Sequence, residues 1–459
     1  MARRGAVLID AGSYFAQLEW ALHRARRSIL IIGWDFDGRM SLRPNRVPGR
    51  PTTLSDLLVS LVRMRPELEI RILVWDFSVF YGPSAPLPLL LGDDWQEHPR
   101  IQLRLDNKHP LYGAHHQKLV CIDDALAFAG GIDLTVRRWD TCRHLADDPQ
   151  RVEPDGTPYP PVHDIQMAVD GEAARALADI ARERWRIATG EALAPVSVEA
   201  DPWPPNLPAD FSGISVGIAR TVPAWGTEPA IREAGTLTLD ALAAAQRTIY
   251  IEAQYLTAAA VRDRLAERLA AANGPEIVIL VTRSSRGLLE RFVMGSNRDR
   301  LVRRLKQVDR YDRLRVYYPV VPAAEGDCEI LIHSKLIIVD DDIIRVGSSN
   351  LNNRSIGLDT ECDLAVEATD DAVRRAIARL RERLLAEHLD TDPDTVAKTI
   401  AAEGSLIRAV ECLNRKPRGL RPFQSVEEDG PTAPISGTGL LDPEEPLEAL
   451  RLLRGKREG

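Results

Sequence analysis

His116-Gln117-Lys118-Leu119-Val120-Cys121-Ile122-Asp123 and His333-Ser334-Lys335-Leu336-Ile337-Ile338-Val339-Asp340 are the two stretches on which the reading of this chain turns. Each opens on histidine, places lysine two residues on, runs through four apolar residues and closes on aspartate. Such a short apolar run between polar ends reads as a buried strand. Alternation along a strand puts His116 and Lys118 on one face, and His333 and Lys335 likewise. Arginine supplies most of the positive charge here and lysine is scarce, so lysine at both equivalent positions is a pattern, not an accident.

The rest of the chain repeats around these stretches, and the order of elements is the same in both halves. Arg27 to Trp34 is answered by Arg247 to Gln254, Glu69 to Val74 by Glu276 to Val281, and Asp164 to Val169 by Asp363 to Val366. The second histidine follows the first by 217 residues (116 to 333), about one domain length. Strands alternating with Ala/Leu/Arg-rich helices predict an α/β fold of two similar lobes, each a mixed sheet flanked by helices. The expected division is a first lobe over 1–192, a proline-rich linker over 193–210 and a second lobe over 211–400. A partly ordered tail over 401–459 follows, with a short Leu/Arg helix near 447–454.

What is repeated points to chemistry. After each strand comes a glycine-bearing loop, Gly130-Gly131-Ile132-Asp133 and Gly347-Ser348-Ser349-Asn350. Glycines bring backbone amides close to an anion, and Ser348 and Asn350 add side-chain donors, so with Lys118 and Lys335 these residues describe a phosphate cradle. Two histidines beside it suggest a division of labour: one attacks phosphorus, the other protonates the leaving oxygen. Asp164 and Glu361 open the two equivalent late strands and are the expected carboxylate partners of the histidines. No cofactor or metal is expected, because the histidines are scattered and form no ligand set in the sequence. His115 is expected to be structural, and His163 to pack or line the cleft. Trp34, Trp75 and Trp139 read as core anchors. The stretch from Arg298 to Arg315 reads as a solvated helix face.

Composition sets the outer limits. Of 459 residues, 44% are apolar and 27% charged, as in a globular protein with sizeable cores. A net charge of −8 without a basic stripe argues against a nucleic-acid substrate. Five dispersed cysteines without CxxC spacing read as ordinary thiols. No apolar run is long enough to span a bilayer, and the N-terminus reaches Asp10 before a signal-peptide core develops. A cytoplasmic enzyme, at most peripheral to the membrane, is expected.

These residues resemble the phospholipase D superfamily, whose signature is HxKx4D followed by a Gly-Ser-x-Asn loop in each half. The second copy, His333 to Asn350, matches throughout. The first has Gly131 and Asp133 where the signature has Ser and Asn. That variant, with Arg138-Trp139-Asp140-Thr141, looks like the eukaryotic-type enzymes. The resemblance implies two lobes around one cleft, His116 as nucleophile and His333 as acid. It implies Lys118, Lys335 and Asn350 as phosphate holders, with Asp164 and Glu361 behind the histidines. The expected substrate is a glycerophospholipid at a membrane surface, hydrolysed to phosphatidic acid and a head-group alcohol, with transphosphatidylation when an alcohol replaces water. The rivals are a cardiolipin-synthase-like transferase, a nuclease of the same superfamily and an inactive binding scaffold.

Overall fold

The computed structural model describes residues 1–44, 53–76, 94–110, 112–199, 201–226, 229–283, 295–423, 430–433 and 442–445. The segment 447–454, expected to hold a short helix, lies outside these. Ten strands belong to the first part of the chain: β1 (Ala2–Ile9), β2 (Ser28–Gly33), β3 (Glu69–Trp75), β4 (Ile101–Asp106), β5 (Leu119–Ile122), β6 (Leu126–Gly130), β7 (Val162–His163), β8 (Ile165–Asp170), β9 (Phe211–Ile214) and β10 (Gly217–Val222). Ten follow: β11 (Ile231–Arg232), β12 (Thr248–Ala253), β13 (Glu276–Val281), β14 (Leu314–Ala323), β15 (Gly326–Glu329), β16 (Leu331–Ile332), β17 (Lys335–Val339), β18 (Ile343–Gly347), β19 (Glu361–Glu367) and β20 (Gly419–Pro422).

The first sheet runs β4-β3-β2-β5-β6-β8-β1-β9. The second runs β11-β10-β19-β18-β17-β12-β13-β14-β15, with β20 against β14. Read from opposite ends, both contain one seven-strand order, β4-β3-β2-β5-β6-β8-β1 in the first and β14-β13-β12-β17-β18-β19-β10 in the second. In each, the three strands from the middle outward are parallel and the others antiparallel. Parallel strands are covered on both faces, which is why β2, β3, β12 and β13 are nearly continuous apolar runs. The strand Phe211–Ile214, in the stretch expected to open the second lobe, pairs with β1 of the first sheet, so the chain crosses between sheets at 215–216.

One core joins the inner faces of the two sheets. It runs from Leu30, Leu119 and Met167 to Tyr250, Leu336 and Leu364, and includes the helices Gly171–Thr189 and Asp371–His388. Outer faces are covered separately, by helices Ala11–Leu22 and Leu54–Met64 on one side and Glu233–Ala244, Ala259–Ala270 and Ser296–Val308 on the other. The C-terminal segment is packed further than its composition suggested. Helices Pro393–Glu403 and Leu406–Leu413 pack on the second lobe, and Glu276 caps the latter by accepting from the amides of Leu406 and Ile407. Buried Asp442 accepts from Thr257 and from the Arg354 amide. No helix among the described residues is long and apolar enough to cross a membrane.

The aspartate that ends each repeated motif has a structural task. Asp123 accepts three successive amides, Arg26, Arg27 and Ser28, at 2.7–2.8 Å, and so fixes the entry to β2. Asp340 does the same for Gln246, Arg247 and Thr248 at 2.5–2.7 Å at the entry to β12. A carboxylate satisfying three amides is a strong local constraint. Asp123→Ala is expected to lower stability by about 2–4 kcal/mol in urea denaturation, with Asp123→Asn intermediate. A loss below about 0.5 kcal/mol would show that solvent satisfies those amides instead.

Candidate active site

The two histidines stand just ahead of their strands, since β5 begins at Leu119 and β17 at Lys335. Their backbones have left their own sheets and hydrogen-bond to the opposite half. His116 N–H donates to Thr360 O at 3.0 Å, and Thr360 N–H donates back to Ala114 O at 2.9 Å. In the mirror arrangement His333 N–H donates to His163 O at 2.8 Å, within the small parallel pairing of β16 on β7. Thr360 and His163 each directly precede an expected carboxylate, Glu361 and Asp164.

Each histidine is therefore backed by the acid of the other lobe. His116 Nδ1 lies 3.1 and 3.0 Å from the two Glu361 oxygens, and His333 Nδ1 lies 2.6 Å from Asp164 Oδ2. An ionised carboxylate at Nδ1 fixes that nitrogen as the donor and leaves Nε2 for chemistry. Glu361 also accepts from the hydroxyls of Ser348 and Ser355. Both acids are buried, while His116 keeps 17% and His333 9% of its side-chain surface accessible, so the histidines are the members a substrate can reach.

The lysines are buried beside them. Lys118 Nζ donates to His116 O at 2.7 Å and lies 3.1 Å from Asp133 Oδ2. Lys335 Nζ donates to Gln254 Oε1 at 3.0 Å and to His333 O. Asn350 is buried, and its Oδ1 has no hydrogen-bond partner. That oxygen is an acceptor, so only the Asn350 Nδ2 could donate to an anion.

The loops correct the rest of that cradle. Gly131 N–H is already spent on Ile165 O at 3.0 Å, and Ser348 N–H on Cys362 O at 3.2 Å, while the Ser348 hydroxyl is held by Glu361. Gly131 is there for space, because a Cβ on it would sit 2.1 Å from Asp164 Oδ1. Gly347 likewise makes room for the Asp363 carboxylate. Asp133 does not face an anion either: its Oδ1 accepts the Trp34 amide at 2.9 Å and its Oδ2 neutralises Lys118. Gly131, Ser348 and Asp133 thus shape and balance the site without lining it.

Electrostatics treat the two histidines alike and separate their carboxylate partners. Burial, reinforced by Lys118 and Lys335, holds His116 well below the usual imidazole value; burial and Lys335 do the same to His333. Burial pushes Glu361 up to about 8 against the pull of its two serine hydroxyls. Burial acts the same way on Asp164, but His333 and Lys335 outweigh it and leave that acid below the ordinary value. Burial brings Lys335 down to about 7. Half-buried Arg138 adds positive potential at His333 and Lys335.

Other expectations fare differently. His115 is structural: it is buried, with Nε2 3.2 Å from Asp106 Oδ1. Trp34 stacks on Trp75 with ring centroids 5.8 Å apart. His163 is wholly buried and packs without lining the cleft. His144 and His163, scattered in the sequence, converge with Asp10 and Glu387 in one cluster. Residues up to 153 positions apart in the first lobe (Asp10 to His163) and a helix of the second meet there, and no local spacing signals it.

A family model described as "Cardiolipin synthase, PLD-like domain" matches residues 238–384. Phospholipase D A of Dictyostelium discoideum is 25% identical over 84% of this chain and 35% of its own length. Phospholipase D1 of Saccharomyces cerevisiae is 25% identical over 85% of this chain and 29% of its own. The chain thus spans about a third of the length of these curated relatives. The crystal structure of phosphatidylserine synthase from Haemophilus influenzae Rd KW20 shares the fold, with a TM-score of 0.59 at 14% identity over 99% of this chain and 94% of that one. The second half of the chain matches a PLD-like domain model, and most of the chain is similar to proteins named phospholipase D.

Proposed function

We propose that this chain is a phosphodiesterase that cleaves glycerophospholipids through a phosphohistidine, releasing the head-group alcohol. The observation that carries the reading is the exchange of carboxylates: two accessible histidines, each with Nδ1 held by a buried acid of the other lobe and each beside a buried lysine. His116 Nε2 attacks phosphorus, the bond to the head-group oxygen breaks, and His333 Nε2 delivers its proton to that oxygen. In the second half His333 takes a proton from water, whose oxygen attacks phosphorus as the phosphorus–nitrogen bond breaks. The pKa directions support these roles. A firmly ionised Asp164 favours the imidazolium at His333, whereas burial and the two lysines keep His116 neutral; Glu361, pushed up to about 8, leaves Nε2 of His116 as the attacking lone pair when it is ionised. Lys118, Lys335 and Asn350 would hold the non-bridging oxygens.

A transfer reaction is the second reading, favoured by the description of the matching family model and by the fold shared with a phosphatidylserine synthase. It uses the same phosphatidyl-histidine with an alcohol in place of water. The acceptor decides between them, and substrate and location at a membrane surface follow from the lipid reading.

Phosphatidylcholine or phosphatidylethanolamine vesicles incubated with purified protein in dilute ethanol are expected to give phosphatidylethanol and phosphatidic acid, and none with His116→Ala. Phosphatidylethanol without phosphatidic acid in ethanol-free controls would assign transfer alone. Absence of any lipid product, with cleavage of single-stranded DNA by the same preparation, would move the substrate to nucleic acid.

Glu361→Gln keeps the shape but removes the ionisable group behind His116, and kcat is expected to fall by about 10²–10⁴-fold. Retention of more than about a third of kcat would show that Glu361 is not needed to set the tautomer.

Lys335 is charged below its value of about 7 and neutral above it, so phosphate binding weakens as pH rises through that region. An alkaline fall in kcat/KM near pH 7 is expected. A flat profile from about pH 6 to 9 would rule Lys335 out as a charged phosphate holder.

A further inference from the structure

We propose that Asp10, His144, His163 and Glu387 form a site for one divalent transition-metal cation, with zinc the best match to the donors, pinning the two lobes together beside the active site. The four side chains are buried, and their ligand atoms all lie within 4.8 Å of one another. His163 Nδ1 is 2.9 Å from Glu387 Oε1 and 3.1 Å from Asp10 Oδ1. His144 Nε2 is 3.0 Å from Glu387 Oε1 and 3.6 Å from Asp10 Oδ2. Ligands about 2.0–2.2 Å from a tetrahedral zinc are separated by about 3.3–3.6 Å, so the set needs only small adjustment to close on a cation.

Two independent features point to a ligand. Asp10 is 1% exposed, yet neither carboxylate oxygen receives a hydrogen bond of good geometry; both aim at the two histidines. Its backbone holds φ 65°, ψ 150°, a conformation few side-chain-bearing residues adopt. Second, each histidine has its other ring nitrogen engaged by a different carboxylate. His144 Nδ1 lies 3.0 Å from Asp140 Oδ2, and His163 Nε2 lies 2.9 Å from Glu252 Oε2. Those acids are themselves anchored, Asp140 by Arg151 and Glu252 by Tyr250, Ser334 and His388. A carboxylate on the far nitrogen is how metal-bound histidines are oriented, since it presents the near nitrogen as a lone pair. Here both near nitrogens converge on one point together with two carboxylates. Two imidazole nitrogens and two carboxylate oxygens without sulfur suit zinc over softer or all-oxygen-seeking cations.

The position gives the cation a task. Asp10, His144 and His163 come from the first lobe and Glu387 from the helix Asp371–His388 of the second. His163 directly precedes Asp164 and accepts the His333 amide, while Glu252 holds Ser334, the next residue. The cation would thus stiffen the backbone that carries both members of the His333–Asp164 pair, as a positioning element outside the reacting atoms.

Full-length protein produced with zinc in the medium is the material to test, by elemental analysis after exhaustive dialysis. About one zinc per chain is expected in the wild type and in His116→Ala, and none in Asp10→Asn combined with Glu387→Gln. Stripping with a chelator is expected to lower the thermal midpoint by about 5 °C, restored by added zinc. Cobalt added to the stripped wild type is expected to give visible ligand-field bands that zinc displaces, which serves even if the double variant does not fold. Wild-type protein with less than about a tenth of an equivalent of zinc, and no cobalt bands, would overturn the proposal and assign the cluster to a proton-held network. Zinc retained in a folded double variant would overturn it as well. These readouts involve no lipid, so their failure leaves the proposed reaction untouched.

Discussion

A buried imidazole needs a partner for its second nitrogen, and for the two motif histidines that partner comes from across the lobe boundary. His116 is held by Glu361 and His333 by Asp164, with the neighbouring backbone amides bonded in the same crossed sense. Removing one member of such a buried pair costs about 3–5 kcal/mol, because the other is left uncompensated. The site and the seating of the lobes are therefore one interaction. Neither sheet by itself completes a histidine with its acid, and the common core between the sheets brings the halves close enough to do so.

Small residues follow from that exchange. Gly131 and Gly347 sit where a carboxylate of the adjoining strand fills the space a Cβ would need. Where the first loop has Gly131 against Asp164, the second has Ser348 donating to the longer Glu361. The loop and the acid thus differ together between the halves, glycine with aspartate and serine with glutamate. Asp133 belongs to the same adjustment, since it neutralises Lys118 while Lys335 has the amide of Gln254.

In the proposed reaction that local asymmetry gives nearly equivalent histidines different work. Both are pushed toward the neutral form by burial and lysine, which suits a nucleophile before substrate arrives. In the proposed reaction an anionic phosphodiester between the lysines would offset this push, and Asp164, held in its ionised form, would direct the gain to His333. The proposed cation site lies behind this pair, on the residue before Asp164.

The sequence by itself determined the α/β class, the repeated strands and the two histidines, lysines and acids. Strand periodicity, glycine loops and the spacing of His116 to Asp123 and His333 to Asp340 are local, and local patterns survive in a linear reading. It also marked Asp164 and Glu361 as the acids, but not which histidine each serves. Pairing across 169 and 245 residues depends on how two sheets pack. For the same reason the convergence of Asp10, His144, His163 and Glu387 was invisible, and the amides of Gly131 and Ser348 read as free when strand partners already held them. Hydrogen-bond saturation is a property of neighbours in space, and only the tertiary structure decides who those neighbours are.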